Sequence, residues 1–449
     1  MQKKLYIYIA AAALVFSACK KNETDYLFDK PIDERINESL SSYQEALSQA
    51  PGWRLIVYPQ GLKPTGLEVG GFSYYMKFTN ANRVNMVSDF DTAMARVSSE
   101  SGFRLKALQR PSLFFDTYSY IHVAADPDAY VSNSPAGQNG VGWGSDFNFS
   151  FTESRPSDTI VLQGNSNGSE AILVKVSAGE IDSALNKGAL RNTIDALMTY
   201  AENTSFLSLP ITNGKKAALS FDFGLKLLQL FYKNDNNSLV TIKSAFAFTT
   251  KGIWLKRPVT MGGYTFQEIF WDQQNRCLYV VSGGNKIVLS SESNPVLAFP
   301  ITTVIGSQFS RVVVPTSPLY GQSSLFISNY EIARANIKNG GYNLDLGNMV
   351  FQFDASSNRM VLNTYVAQQG VQFLAQTLYS YSVNGDSIKF TWLSESENAA
   401  LIKSEMAPLL DYLATDSFKL SALATTSGFI SLFTSNDNPS FYFTGYLSE

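Results

Sequence analysis

The chain of 449 residues contains one histidine and two cysteines. That scarcity bounds its chemistry: a Ser-His-Asp or Cys-His centre would have to be built on His122, and zinc hydrolysis, which draws several ligands from His and Cys, is close to excluded. A net charge of −3 offers no basic face for nucleic acid. The content of 45% hydrophobic and 13% aromatic residues argues equally against wholesale disorder. The apolar run from Leu5 to Phe16 is too short for a persuasive membrane-spanning helix. No fixed-period repeat points to a propeller or solenoid.

What the sequence does contain starts at its first residues. Lys3 and Lys4, the apolar run, then Ser17 and Ala18 directly before Cys19 have the order of a secretory signal. With a cysteine after the small pair, the segment resembles a bacterial lipoprotein signal, so 1–18 is read as signal peptide and Cys19 as the lipidated first residue. Several acyl chains on one residue give stable anchoring, each buried methylene adding roughly 0.8 kcal/mol. The charged run Lys20–Asp25 reads as a tether, giving 19–27 as lipidated cysteine and spacer. It also looks like a surface-export signal, so an outer-membrane, surface-exposed location is expected over a periplasmic one. Lipidation leaves only Cys277, so no intrachain disulfide forms and stability must come from packed sheets.

From Phe28 to Leu47, Ile32, Ile36, Leu40, Tyr43 and Leu47 recur at helical spacing, with Asp29 as N-cap and Pro31 in the first turn. Short aromatic and β-branched runs follow: 53–59, 71–79, 83–88, 103–108, 113–123, 147–152, 159–164 and 171–177. Eight such runs joined by turns predict an antiparallel meander closing into a barrel, lipocalin-like, or folding over as a sandwich. A helix is expected over 180–202, on Ile181, Leu185, Ile194, Leu197 and Met198. Strands resume over 216–223, 239–250, 252–259, 264–272, 276–282 and 286–290. The last third is again mostly β, with SLFISNYEI among its strands and a helix near 398–414. The expected fold class is mainly β with a few helices, in three domains: 28–178, 179–298 and 299–449.

Phe28-Asp29, Gly52-Trp53, Gly70-Gly71 running to Lys77-Phe78, Phe115-Asp116-Thr117-Tyr118 with Ile121-His122, Gly142 to Asp146-Phe147, and Leu162-x-Gly164 follow one another in order. Together with Gly252-Ile253, Pro258 and Gly263-x-x-Phe266 they resemble the Bacteroidetes lipoprotein family catalogued as domain of unknown function 4302, over roughly residues 20–280. The turn Asn165–Gly168 departs from that pattern, where lysines are expected. The resemblance implies an envelope lipoprotein near outer-membrane nutrient-uptake components and supplies no catalytic residues.

Chemistry is left to carboxylates. Asp116, Asp126, Asp128, Asp146, Glu268 and Asp272 lie near strand ends, and two held at the right separation would suffice for glycoside hydrolysis. Solvated charges and turn caps are the competing reading. His122 alternates with aromatics as a strand residue would, which favours a structural role. The loop GQNGVGWGSD (137–146) sets Trp143 among glycines, either as a ring that stacks on a sugar or as one folded back onto the barrel. Trp143, Tyr118, Tyr120 and Asp146 are the candidate ligand-binding residues. The Asn-rich turns 234–237 and 435–440 lack the spacing of a calcium loop. Asp-Thr/Ser-aliphatic triplets at 91–93, 158–160, 182–184 and 386–388 resemble O-glycosylation acceptors. No cofactor, metal site or catalytic residue is expected. The reading is a membrane-anchored, non-catalytic binding module for a glycan, nutrient or uptake-complex protein, with an anchored carboxylate hydrolase or an adhesive surface protein as alternatives.

Overall fold

The computed structural model describes residues 30–134, 140, 142–153 and 155–448. Cys19, the tether, Asp29 and part of the glycine loop lie outside the described residues. Seven helices are present among them: α1 (Ile32–Gln49), α2 (Tyr120–Val123), α3 (Ala129–Ser132), α4 (Ala178–Lys187), α5 (Ala189–Glu202), α6 (Ser324–Asn339) and α7 (Glu397–Thr415). None is long and apolar enough to cross a membrane. The rest is mainly antiparallel sheet.

The first eight strands are β1 (Gly52–Tyr58), β2 (Phe72–Phe78), β3 (Arg83–Ser88), β4 (Ser99–Ala107), β5 (Pro111–Phe115), β6 (Asn148–Phe151), β7 (Thr159–Gly164) and β8 (Glu170–Val176). They pair in sequence order and close through β1 and β8, Leu55 opposite Leu173, into a barrel. Period-two alternation sets its inside. Trp53, Leu55 and Val57 of β1 meet Phe72, Tyr74 and Met76 of β2, with Phe103, Phe149, Leu162 and Leu173, in a filled core. In β7 the alternation is clean, with Ile160, Leu162 and Gly164 buried and Thr159, Val161 and Gln163 exposed, so that wall faces water. Every residue of β1 is buried, which happens when a strand is covered on both faces. Its outward Ile56 and Tyr58 pack against Leu227, Ala245 and Ala247 of the following sheet. α1 plugs one end: Tyr43 stacks on Phe151 with centroids 3.7 Å apart and its hydroxyl donates to the Glu153 carbonyl at 2.9 Å.

The second sheet comprises β9 (Phe206–Pro210), β10 (Lys216–Asp222), β11 (Leu227–Lys233), β12 (Leu239–Thr249), β13 (Gly252–Met261), β14 (Tyr264–Asp272), β15 (Cys277–Ser282), β16 (Asn285–Val288) and β17 (Ser290–Glu292). β16 pairs with β15, while β17, one residue further on, pairs with β9, so the ladder returns on itself. The third comprises β18 (Ala298–Pro300), β19 (Arg311–Val314), β20 (Asp345–Asp354), β21 (Arg359–Gln368), β22 (Val371–Asn384), β23 (Ser387–Glu395), β24 (Ser417–Thr425), β25 (Gly428–Ser435) and β26 (Tyr442–Ser448). Consecutive pairing from β19 to β26 and the return pairing of β26 with β19 close this cycle too, with β18 alongside β24.

Four sequence expectations change. The stretch 113–123 is strand only to Phe115; Tyr120–Val123 is helical, because Ser119 starts a turn whose capping box includes His122. SLFISNYEI is the start of α6: Ser323 caps its first turn, and Phe326, Tyr330, Ala333 and Ile337 recur at helical spacing on the core side. The helix expected over 180–202 is broken at Gly188 (φ 65°), and Met198 points out at 40% exposure. α1 starts at Ile32 with Pro31 at its cap position, and Ile32 is 63% exposed.

The first barrel and the second sheet are joined by a buried ion pair. Lys226, at the tip of the β10–β11 hairpin, places Nζ 2.9 Å from Asp89 Oδ2. The carboxylate also accepts from Ser73 N–H at 2.8 Å and Phe248 N–H at 3.0 Å. Lys226 Nζ donates to the Gly71 and Asp89 carbonyls, both at 3.2 Å, and lies 4.4 Å from the centroid of the Phe72 ring. Burial pulls its ammonium below the ordinary lysine range, and Asp89 opposes that shift. Gly70 N–H donates to the Leu225 carbonyl at 2.7 Å and Gly71 N–H to that of Phe246 at 2.8 Å. A Cβ on Gly70 would sit 2.4 Å from Lys226, so the approach requires glycine. Lys226→Met is expected to lower unfolding stability by about 3–5 kcal/mol, because it strands a buried carboxylate. Asp89→Asn added to it should restore part of the loss; additive losses in denaturant titrations would refute the coupling.

Candidate functional site: a loop crown on the first barrel

Strands of a meander turn at alternate ends. α1 occupies one end of the first barrel; at the other, the loops 59–71, 89–98, 116–147 and 165–169 meet. The connection 116–147 is the longest of these, far longer than a hairpin requires, and loops of that length on a rigid scaffold are where binding sites concentrate. It carries all four candidate ligand-binding residues.

Trp143 is half-buried and turned into the crown. Its Nε1–H donates to the Ser132 carbonyl at 2.7 Å and its ring meets Phe72 edge-on at 5.3 Å. The flanking glycines serve chain crossing: Gly61 N–H donates to the Gly144 carbonyl at 3.0 Å, and a Cβ on Gly144 would be 2.7 Å from Gly61 Cα. Asp146 is buried. Its Oδ1 accepts from Ser166 and Asn167 N–H at 2.7 and 2.9 Å, and Oδ2 from Ser169 N–H at 2.9 Å. The carboxylate therefore organises the β7–β8 turn, the segment where lysines were expected. A Cβ on Gly164 would lie 2.2 Å from Asp146 Oδ2, so the glycine exists to admit the acid.

His122 belongs to the support. Ser119 N–H donates to Nδ1 at 3.1 Å, so the ring is neutral with its proton on Nε2, which faces the Phe115 carbonyl at 3.3 Å. Burial holds its pKa below the ordinary value. The ring is sandwiched between Phe147 at 4.6 Å and Tyr118 at 5.3 Å. Tyr120 is half-buried against the barrel core.

Tyr118 is 58% exposed. Its hydroxyl donates to Asp126 Oδ2, and partial burial followed by this contact pushes its pKa up to about 12. Asp126 Oδ1 in turn accepts from Asp128 N–H at 2.9 Å, and Asp128 Oδ1 accepts from Tyr130 N–H at 2.9 Å, capping α3. Tyr130 is 95% exposed. Sequence reasoning passed over Tyr130 because nothing in AYVS marks a ring that reaches solvent. Its place two residues after the capping Asp128 was the available signal.

The remaining acids are engaged separately. Asp116 pairs with Arg104, Glu268 lies 3.6 Å from Arg54, and Asp272, bonded by Lys286 and Asn275, is held well below the usual carboxylate range. Among the described residues no group of three or more His, Cys, Asp or Glu is placed to hold a metal ion.

The profile of the domain of unknown function 4302 family matches residues 24–273, more than half of the chain. The chain belongs to the DUF4302 family. No curated protein matches it. Among solved structures, isotype 1 transferrin binding protein B from serogroup B Neisseria meningitidis is 10% identical, with 88% of this chain and 76% of that one covered at a TM-score of 0.14. The Trp-176-Ala mutant of transferrin binding protein B from Haemophilus parasuis Hp5 is 11% identical, covering 88% and 74% at 0.14. The β sliding clamp of C. crescentus is 10% identical, covering 93% and 97% at 0.16. TM-scores this low do not establish a shared fold. The DUF4302 match ends at the close of β14, inside the second sheet.

Since the folded pKa of His122 lies below its unfolded value near 6.5, the folded state binds fewer protons as pH falls through that value. Stability from this group is complete above about pH 6.5 and declines below it. His122→Asn keeps an acceptor for Ser119 N–H and should cost roughly 1 kcal/mol at pH 7.5. Between pH 7 and 5 its melting temperature should fall less steeply than that of the wild type; parallel slopes would count against the burial account.

Proposed function

We propose that this DUF4302 protein is a lipid-anchored, non-catalytic binding lipoprotein of the cell envelope, tethered through Cys19 and displayed on the outer face of the outer membrane. The crown of the first barrel is its contact face. The observation that carries the reading is the 116–147 connection, long, internally braced and mounted on a filled barrel, with tyrosines directed outward. A filled interior favours recognition on the outside of the barrel over enclosure of a ligand. The hydrolase alternative is weakened because Asp116, Asp146, Glu268 and Asp272 each have a separate structural engagement, and Asp126 and Asp128, which share one chain, hold a tyrosine hydroxyl and backbone N–H groups. Glycans and uptake-complex proteins of the outer membrane are the partner classes in view.

Cys19→Ala should move the protein from the membrane pellet to the soluble fraction and abolish labelling by radioactive palmitate. Protease added to intact cells should degrade the wild-type protein. Retention of the variant in the pellet would remove the anchor, and full protection from protease would place the protein inside the outer membrane.

A further inference from the structure

The crown has one surface whose chemistry is specific. Tyr118, Asp126, Asp128 and Tyr130 form a continuous hydrogen-bonded chain, from Tyr118 hydroxyl to Asp126, from Asp126 to Asp128 N–H, and from Asp128 to Tyr130 N–H. Two exposed tyrosines thus sit on one braced ledge. Tyr118 is backed by the His122–Phe147 stack. α3, which carries Tyr130, is capped by Asp128 at its start and ends at Asn133 in the left-handed region (φ 45°). Ser132 of the same turn is fully buried and its carbonyl accepts from Trp143. The ledge is therefore held from beneath at both ends.

We propose that this ledge binds neutral carbohydrate, with Tyr118 and Tyr130 stacking on sugar rings and Asp126 and Asp128 accepting sugar hydroxyls. The inference rests on the crown being the contact face. Tyrosine offers a flat, amphipathic surface with few rotatable bonds, suited to the apolar face of a pyranose. A carboxylate has about four lone-pair sites. Each Asp126 and Asp128 oxygen in the chain is engaged once, which leaves acceptor capacity for hydroxyl donors. Charge selects the class further: the ledge carries Asp126 and Asp128, neither of them in an ion pair among the described residues, and residues 116–147 contain no Lys or Arg. Polyanions such as sulfated or uronic-acid glycans are repelled by such a surface. A basic peptide would meet the same charge, but Asp116 is already paired with Arg104, and Asp126 and Asp128 serve the chain that holds the Tyr118 hydroxyl and the Tyr130 backbone.

The full-length protein purified in detergent would be titrated calorimetrically with maltoheptaose, cellohexaose and a neutral mannan, with heparin, polygalacturonate and nonalysine as comparison probes. At least one neutral glycan should bind, and Tyr130→Ala, at a site fully outside the core, should weaken it about tenfold, as loss of a stacked ring predicts. Tyr130→Phe should retain binding and Tyr118→Ala reduce it, with unchanged melting temperature for the Tyr130 variants. Binding that ignores both tyrosines overturns the site; preference for heparin, polygalacturonate or nonalysine overturns the ligand class. If no glycan binds but an outer-membrane protein is captured and released by Tyr130→Ala, the carbohydrate proposal fails while the crown remains the contact face. If neither binds, both fail.

Discussion

A lysine in the left-handed backbone region, buried against a buried aspartate, is a costly thing for a protein to build. Lys226 (φ 55°) and Asp89 nevertheless meet at the point where the second sheet touches the crown end of the first barrel. The cost is offset by several polar contacts on each partner: Asp89 takes two backbone N–H groups besides the ammonium, and Lys226 adds two carbonyls and the Phe72 ring. Such a pair tolerates little displacement. The hairpin tip can enter only where Gly70 and Gly71 lack side chains, and that fixes which wall of the first barrel is covered. The burial of β1 on both faces follows from the same docking.

The junction also reaches the crown. Phe72 receives the Lys226 ammonium on its ring and the edge of Trp143 against it. Trp143 thus rests on the ring that lies under the Lys226 ammonium. Phe72 is a constituent of three structures at once: the barrel core, the lock and the crown. This explains why Trp143 faces inward. An indole left in solvent would have given Phe72 one partner fewer and exposed the barrel end to water.

The eight-strand barrel was legible because alternation and turn residues are local signals, and a meander needs no long-range choice of partner. The closures of the second and third sheets were not, since they depend on β16 and β17 sharing one run and on β26 returning to β19. α6 was hidden because SLFISNYEI is short, aromatic and β-branched at its start, and only the recurrence out to Ala333 and Ile337 reveals the helical face. His122 misread as a strand residue has the same origin: alternation of Tyr118, Tyr120 and His122 is also what a turn followed by one helical turn produces. Of the candidate residues, the ones with distinctive sequence surroundings, Trp143 and Asp146, lie inward. The exposed Tyr130 had no such surroundings.

That asymmetry has a physical cause. Gly70-Gly71, Gly142, Asp146, Gly164 and Phe115 with His122 are among the residues that carry the family resemblance, and each solves a packing problem: a close backbone approach, a turn whose N–H groups need an acceptor, a ring that must be seated. Such solutions constrain residue type tightly, so they form recognisable motifs. A ledge that meets solvent constrains only the backbone beneath it. Its tyrosines are held by Asp126 and Asp128, but nothing in the fold dictates that the side chain at 130 be a ring. If the crown is the contact face, a change of side chain at Tyr130 would alter what the surface meets without disturbing the Asp89–Lys226 lock, and a surface already held in place loses little entropy when it binds.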